Sequence, residues 1–323
     1  MSLDASSTCH PPRAADLLHL RSSDAAGSAV TALVAGVTAA GLALSLQPHV
    51  FAWAAGQLLL AVAFVQWFVV LHECGHDTLF RRRRLNGIAG RISGFFAVIP
   101  FANWMRVHGK HHRWTGWQDL DPTTASLVTR QRGRLERVIV NVCWKFSIPL
   151  FAIVYRVENY WRLPRLFAMF PSRKDRLRLL RDTVGLVAVY VALVAVVGPM
   201  LLARTIGVAL VISLMVEDVL LLSQHTHIPQ HVSHGVSVQP FPAIQQEAFT
   251  RSLRLPSWVS ALVLHFDAHE LHHMYPFVPG YRLHRVAYAP QNEVGCWRWV
   301  RMAKRVPGEV FLFQNRAESG WEI

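Results

Sequence analysis

The most regular feature of the chain is a set of four apolar runs that are grouped in two pairs. Residues 28–46 and 50–71 form the first pair, and residues 183–203 and 206–223 form the second. Each run holds about 20 residues, the length that an α-helix needs to cross roughly 30 Å of hydrocarbon. Little more than Gln47–His49 or Arg204 separates the partners of a pair. The pattern therefore predicts four transmembrane helices in two hairpins.

Three further segments carry apolar residues without reaching the length of a clean span. Residues 88–104 and 138–154 are shorter and contain both a basic residue and a proline, which favours helices that lie in the membrane interface. Two additional spans are the alternative. Residues 162–181 are strongly basic with Leu and Phe between the charges, which suits a helix resting on anionic headgroups or, equally, a solvated charged face.

Composition and charge agree with a membrane protein. The 323 residues are 52% apolar and carry a formal net charge of +13. Only one of the basic residues, Arg204, lies in the two regions that hold the four long apolar runs. This segregation of charge and apolar sequence argues against nucleic acid as a partner, which would need a clustered basic surface for phosphate. The positive-inside rule places both termini and the long central segment in the cytoplasm.

The same distribution predicts a simple domain organisation. We expect a cytoplasmic N-terminal segment over residues 1–27, a single membrane domain over residues 28–305 and a C-terminal tail over residues 306–323. The fold class is an all-α integral membrane protein, in which interfacial helices and a cytoplasmic histidine-rich helical cap accompany the four spans.

Histidines are placed where two of the predicted spans reach the cytoplasm. His72 and His76 lie at the end of the second run, and a spacing of four residues puts both imidazoles on one face of a helix. Together with Glu73 they also spell HExxH, in which two histidines bind zinc and the glutamate is the general base of a protease. A membrane zinc protease is therefore one alternative function.

Two more groups of histidines have this helical spacing. His108, His111 and His112 share one helical face, and His269, His272 and His273 have the same spacing. Eight histidines exceed what one zinc ion can use, whereas two metal ions could use them all. An iron pair with open positions suits the activation of oxygen against an unactivated C–H bond. If residues 88–104 crossed the membrane, His72 and His108 would emerge about 30 Å apart and could not share a centre.

A ninth donor is expected just beyond the fourth run. We favour His225 and keep His227 as the second choice. Asp218 lies seven residues before His225, two helical turns away on the same face, and a carboxylate within a membrane is functional by default. We expect Asp218 to orient His225. The alternative is that Asp218 or Glu217 is satisfied by a neighbouring helix.

From about Leu71 to about Arg285, these motifs resemble the membrane fatty acid desaturase and hydroxylase superfamily. Its histidine boxes read HxxxH, HxxHH and HxxHH, in that order and at similar intervals. The stretch His111-His112-Arg-Trp-Thr115 with Asp121-Pro122 is similar to the HHxxT and DP pattern of that family, and Gln224 to His227 is similar to a segment of plant-type and cyanobacterial acyl-lipid desaturases.

The resemblance implies a four-span helical bundle and an oxygen-dependent acyl-chain desaturase that uses two non-haem irons. Lipid or alkyl hydroxylation, carotenoid hydroxylation and alkene-forming decarboxylation of fatty acids are alternatives with the same chemistry. The iron ligands carried over are His72, His76, His108, His111, His112, His225, His269, His272 and His273. Candidates to accept a hydrogen bond from an imidazole, or otherwise to support a ligand, are Asp218, Glu73, Asp77, Asp119, Glu270, His227 and His265.

The resemblance also implies an external reductant. The chain has no GxGxxG loop and no cysteine set for an iron–sulfur cluster, so a ferredoxin, rubredoxin or cytochrome would supply electrons to the iron centre. Arg81–Arg84 beside the first histidine box could steer such an acidic carrier to the metal centre. These arginines could equally be a stop that sets the topology of the second span.

Overall fold

The structure is a computed structural model that describes residues 10–129 and 132–323, and helices form most of it. The first half contains α1 (Asp24–Ser45), α2 (Val50–Gly75), α3 (Arg83–Ala97), α4 (Phe101–Trp114), α5 (Arg134–Lys145), α6 (Leu150–Arg156) and α7 (Leu163–Met169). The second half contains α8 (Arg173–Val197), α9 (Pro199–Leu202), α10 (Val208–His225), β1 (Leu253–Arg254), α11 (Ser257–Leu262), α12 (His269–Met274), α13 (Gly280–Leu283), β2 (Val294–Gly295), α14 (Cys296–Ala303), α15 (Gly308–Phe313) and α16 (Arg316–Ser319).

Four stretches of helix are long and apolar enough to cross a membrane within the described residues. They are Asp24–Ser45, Val50–Gly75, Arg173–Val197 and Pro199–His225, and the number rises to six if two bent helix pairs each count as one span. The last stretch joins α9 to α10 through a π-helical turn at Ala203–Gly207. The structure is mostly helical and has at least four candidate membrane-spanning helices, so the predicted class of a helical integral membrane protein is confirmed at this coarser level.

The first pair of helices packs closely. The side chain of Ser23 caps α1 by accepting a hydrogen bond from the Ala26 N–H. Near the connection to α2, a Cβ atom added to Gly56 would lie 2.5 Å from Ser45, so only glycine allows the two backbones to approach this far. Helix α2 continues one turn past its predicted end, and this extension places His72 at its C-terminus.

The turn of the second pair lies elsewhere than predicted. The sequence suggested a break at Arg204, but the chain turns at Gly198, which has a φ of 85°, and Pro199 then opens α9. Glycine tolerates this backbone conformation, and proline fits the first position of a helix because its missing N–H has no intrahelical partner there. Arg204 lies within the following helix, where its carbonyl accepts the indole N–H of Trp53 at 2.9 Å.

The basic stretch at residues 162–181 is not a separate surface helix. Only the short α7 lies apart, and the remainder forms the first turns of α8, which runs without a break from Arg173 to Val197. Ser172 starts this helix by accepting the Asp175 N–H, and no proline interrupts it before Pro199. The basic residues of α8 therefore continue directly into the apolar part of a candidate span.

Both of the shorter apolar segments are sharply bent. Helices α3 and α4 meet at 98°, and α5 meets the helix Leu150–Trp161 at 117°. The bends coincide with a residue of positive φ followed by a proline, at Val98 and Pro100 and at Ser147 and Pro149. Neither segment forms one straight helix across a membrane. The bend between α3 and α4 returns the chain to the end of α2, where the histidines lie.

The C-terminal third packs over the ends of α2 and α10. Its short strands pair in parallel, with Leu253 opposite Val294, and α12 carries the third histidine group. The expected tail at residues 306–323 contains α15 and α16, and its Phe311 is fully buried and stacks on Trp144 with ring centroids 4.5 Å apart. The ring stack packs the C-terminal segment against α5.

Candidate metal centre

The first of two histidine clusters combines residues from three helices. His72 and His76 come from the end of α2, His108 from α4 and His272 from α12. One ring nitrogen of each lies within 4.8 Å of those of the other three. Three of the four side chains are buried, and His76 is partly exposed.

The second cluster has the same form and lies beside the first. It consists of His111, His225, His269 and His273, whose potential ligand atoms also lie within 4.8 Å of one another. The imidazoles of His108 and His111 belong to different clusters, and their ring centroids are only 5.4 Å apart. Because α4 and α12 each supply residues to both clusters, the two groups are held at a fixed separation.

His112 is the ninth histidine and lies at the edge of the first cluster. Its Nε2 atom is 3.0 Å from His108 Nε2 and 3.1 Å from His272 Nε2. Its ring also stacks on that of His273 in the second cluster, with the centroids 4.2 Å apart. The structure thus brings together all nine histidines that the sequence predicted.

Several ring nitrogens in these clusters have no hydrogen-bond partner within the protein. His72 Nε2, His269 Nδ1 and His273 Nε2 are buried in this way. A buried nitrogen without a partner is costly, and a neutral imidazole has only one N–H to donate. Converging, unpartnered lone pairs are what a cation requires, so the donor set fits two metal ions of the kind that imidazole binds.

Burial also keeps most of these histidines in the form that binds a metal. Desolvation, followed by the effect of neighbouring imidazoles, lowers the pKa well below its ordinary value for six of them. They are His76, His108, His112, His269, His272 and His273. A neutral imidazole is the ligand form, so at neutral pH no proton has to be displaced from these rings for a metal to bind.

On some of the imidazoles, the ring nitrogen that faces away from the cluster has a partner that fixes the orientation of the ring. Glu73 Oε1 lies 3.3 Å from His72 Nδ1, which agrees with the prediction for this glutamate. Glu73 in turn accepts hydrogen bonds from Thr78 Oγ1 at 2.9 Å and from the Gly280 N–H at 2.8 Å. The carboxylate therefore ties α2 to the segment that follows α12.

Two further partners were not predicted for this role. Asp121 Oδ2 lies 2.7 Å from His111 Nδ1, and Gln246 Oε1 lies 2.8 Å from His273 Nδ1. Burial alone would raise the pKa of Asp121, but the adjacent His111 imidazole and a hydrogen bond to it hold that pKa below its usual value. The DP motif pointed to Asp121 as a family mark, whereas Gln246 has no signal in the sequence.

Asp218 does not orient His225. Its Oδ1 atom accepts the Ala152 N–H at 2.5 Å, and His225 Nδ1 lies instead 3.2 Å from the Phe249 carbonyl. The neighbouring Glu217 forms a buried ion pair with Arg156. The alternative interpretation holds here, because a neighbouring helix satisfies both carboxylates.

Three other predicted carboxylates also lie away from the imidazoles. Asp77 pairs with Arg83 at 3.4 Å, and Asp119 accepts the Ser233 N–H at 2.9 Å. Glu270 accepts the backbone N–H groups of Ser252 at 3.0 Å and Asn292 at 2.7 Å, and burial raises its pKa to about 7. Adjacency in sequence misled the prediction. Asp77 and Asp119 lie in turns and contact other segments, and on α12 Glu270 points away from the neighbouring histidines, since successive residues of a helix point in different directions.

His227 and His265 lie outside both clusters. His227 Nδ1 is 2.8 Å from the Gln314 carbonyl, so this side chain holds the C-terminal segment rather than a metal. His265 Nδ1 is 2.8 Å from Ser260 Oγ, and its ring lies beside His284. Of the two histidines considered for the ninth donor, the structure places His225 in a cluster and His227 outside it.

A narrow cavity lies against both clusters. It has a volume of about 40 Å³, and five of the nine histidines contribute to its wall. Half of the other lining residues are aromatic, namely Phe68, Trp104, Phe151, Tyr155, Tyr160 and Phe266. An apolar slot of this kind can hold a hydrocarbon segment next to the ligand atoms and exclude water from them.

The contact between Asp121 and His111 leads to a testable prediction. Asp121→Asn keeps the size of the side chain but removes the charge, and loss of such a partner of a metal ligand typically costs 10–100-fold in metal affinity. We expect the Asp121→Asn protein to lose metal to a chelator faster than the parent protein does. Elemental analysis of the metal that remains measures this loss. Asp119→Asn is the matched control because Asp119 contacts Ser233 and no histidine. Equal metal loss in both variants would assign the effect to the loop as a whole.

Comparison with known proteins adds an independent finding. The family model described as fatty acid desaturase matches residues 48–299. The chain is 23% identical over 284 residues to a probable fatty acid desaturase of Sorghum bicolor, which covers 81% of this chain and 69% of that protein. It is 26% identical over 251 residues to an sn-1 oleoyl-lipid 12-desaturase of a Picosynechococcus strain, with coverages of 72% and 68%.

A relative in Arabidopsis thaliana bears on the electron donor. It is described as a temperature-sensitive sn-2 acyl-lipid omega-3 desaturase (ferredoxin) of the chloroplast and is 24% identical over 243 residues. The match covers 71% of this chain and 54% of that protein. The matched region of this chain contains all nine clustered histidines.

Proposed function

Because the chain belongs to the fatty acid desaturase family and is an oxidoreductase, we propose that it introduces a double bond into a lipid acyl chain with two histidine-bound irons and oxygen. The observation that carries this proposal is the placement of two four-histidine clusters side by side against one apolar cavity. A protein of this family with this donor set is equipped to oxidise a C–H bond that has no activating group.

The nine histidines divide naturally between two irons. His72, His76, His108, His112 and His272 would hold one ion, and His111, His225, His269 and His273 would hold the other. When bound, an iron pair supplies the oxidising power to remove hydrogen from a methylene group, with O2 as the co-substrate. Glu73, Asp121 and Gln246 keep individual imidazoles in a fixed tautomer and orientation.

The walls of the cavity determine which part of the substrate reacts. Phe68 and Phe266 meet edge to face with centroids 5.7 Å apart, and Phe266 also lies beside both His72 and His269. Trp104 stacks on His108 with the centroids 4.2 Å apart. These rings would hold a methylene group against the ligand atoms while they exclude water, which confines the oxidation to one position of the chain.

The electron donor would approach from the side of the membrane on which the histidines lie. Helices α2 and α10 both end at the clusters, while the turns at Leu46–His49 and Gly198 lie at the opposite ends of these helices. With the positive-inside rule, this arrangement favours two hairpins and a cytoplasmic histidine-rich cap. Arg81–Arg84 are exposed beside His76 and would attract an acidic ferredoxin-like carrier.

Product analysis tests the proposal directly. The full chain would be expressed with a ferredoxin and its reductase, and cellular fatty acids would be compared with those of the empty host by gas chromatography and mass spectrometry. We expect a new acyl chain that is two mass units lighter than its precursor. A product that has gained oxygen would contradict desaturation and indicate hydroxylation instead.

Metal analysis tests the centre separately from the reaction. We expect about two irons for each purified chain, because the two clusters offer separate donor sets. A single zinc without iron would support the protease alternative on His72, Glu73 and His76. That alternative has no use for the other histidines, which the fold brings to the same place.

A further inference from the structure

A groove between α3 and α8 begins in a group of basic side chains. Arg91 of α3 and Lys174, Arg178 and Arg181 of α8 line its mouth, together with Asp182. Their spacing along α8 is four and then three residues, so the three basic residues of this helix share one face. The mouth therefore has four positive charges and one negative charge.

The single carboxylate at the mouth is already engaged. Asp182 Oδ2 accepts the Ala102 N–H at 2.7 Å, and its Oδ1 lies 3.7 Å from Arg91 Nε. Lys174, Arg178 and Arg181 are exposed, and no carboxylate of the described residues forms an ion pair with them. The positive charge of the mouth is available to an anion.

Beyond this mouth the groove becomes apolar. Arg91, Arg181 and Asp182 also border its next section, which continues past Phe95, Ile99 and Val189. Phe95 then borders an apolar cavity of about 590 Å³, whose wall includes Leu193, Val194 and Val197 of α8. The Tyr190 hydroxyl donates to the Phe95 carbonyl at 2.7 Å and marks the junction of the two sections.

The length of the apolar part matches one leaflet of a bilayer. From Gly185 to Val197 the helix α8 advances by 12 residue steps, about 18 Å at 1.5 Å per residue. This is close to half of the roughly 30 Å hydrocarbon core. Among the four candidate spans α8 has the smallest buried share, so its groove faces the surrounding lipid.

We propose that this groove binds one phospholipid with an anionic headgroup. The phosphate contacts Arg91, Lys174, Arg178 and Arg181, and one acyl tail follows α8 into the apolar cavity. A basic pocket at the membrane surface next to an apolar groove has the charge and shape for such a lipid. The groove has no wall residue in common with the cavity at the histidine clusters, so this site is separate from the proposed desaturation.

Native mass spectrometry of the full chain in detergent tests the headgroup contact. The protein would be titrated with dioleoylphosphatidylglycerol or dioleoylphosphatidylcholine, and we expect one tightly retained phosphatidylglycerol. Each basic residue near an anionic lipid contributes about 1 kcal/mol, so R178Q/R181Q should weaken phosphatidylglycerol binding about 30-fold. The control R298Q/R305Q removes the same charge from exposed residues outside the groove and should leave binding unchanged.

A second variant tests the path of the acyl tail. Gly185 lines the groove, and a Cβ atom at this position meets nothing within 4 Å, so we expect G185L to narrow the groove without displacing the backbone. We expect G185L to lose the retained lipid while it keeps the circular dichroism spectrum and the monodispersity of the parent. If G185L did not fold, the comparison of R178Q/R181Q with R298Q/R305Q would still test the proposed lipid site.

Two outcomes would overturn the proposal. One is phosphatidylglycerol retention by R178Q/R181Q and G185L at the level of the parent. The other is equal loss of lipid in R178Q/R181Q and in R298Q/R305Q, which would reduce the effect to net charge. Because neither test measures turnover or iron, failure of this proposal is distinguishable from failure of the proposed desaturase activity.

Discussion

His272→Ala is expected to abolish turnover and to remove metal from the first cluster. His272 is buried on α12, and its ring lies 4.4 Å from that of His72 and 4.7 Å from that of His76, measured between centroids. Its loss opens the cluster on the side supplied by the C-terminal third. Changes of residues that only support a ligand cost 10–100-fold in metal affinity, so loss of a ligand should exceed about 100-fold.

Iron content by elemental analysis and product formation by gas chromatography measure this effect. His265→Ala is the control, because His265 lies in the same part of the chain but contacts Ser260 and His284 instead of a cluster. The control should retain iron and turnover, and both variants should enter the membrane, since the four spans do not depend on the metal. Full iron content in His272→Ala would remove this residue from the proposed ligand set.

The histidine clusters could be predicted from the sequence because their members repeat at helical intervals. Spacings of three and four residues place His108, His111 and His112 on neighbouring faces of a single helix, and the structure has that helix as α4. The positions of the apolar runs also predicted that these groups lie on one side of the membrane. Periodicity is a local property, so no knowledge of the tertiary fold was needed.

Spacing along the sequence did not predict most of the residues that contact the outward ring nitrogens, and it suggested several that do not. Asp218, Asp77 and Glu270 stand near histidines in sequence, yet their hydrogen-bond partners belong to other segments or to backbone groups. Gln246 contacts His273 across a separation of 27 residues. Whether a carboxylate or amide faces an imidazole depends on the packing of distant segments, which spacing does not encode.

The turn between the third and fourth candidate spans was predicted at the wrong residue because a charged side chain drew attention away from a glycine and a proline. Arg204 interrupts a long apolar run and therefore suggested a boundary, but a single long basic side chain can extend its charge to the interface from within a helix. Gly198 and Pro199 carried the better signal, because a residue that tolerates positive φ is followed by one that starts a helix. Backbone preference, rather than charge, determined where the chain turns.

Arg156→Met is expected to destabilise the protein by about 3–5 kcal/mol, the cost of breaking a buried ion pair by removal of one partner. Arg156 on α6 pairs with Glu217 on α10, and the side chains are only 7% and 2% exposed. The guanidinium also donates to the Ala97 and Ala152 carbonyls, both at 3.2 Å. Without it, a carboxylate remains buried between α6 and α10, which both contribute to the wall of the cavity at the histidine clusters.

Thermal unfolding in detergent, followed by circular dichroism, measures this change against two comparisons. Arg162→Met removes an exposed arginine that pairs with Glu158, and such a surface pair contributes at most about 1 kcal/mol. Glu217→Gln in the Arg156→Met background removes the buried charge and should recover part of the lost stability. An Arg156→Met protein that unfolds at the same temperature as Arg162→Met would show that the ion pair does not hold α6 against α10.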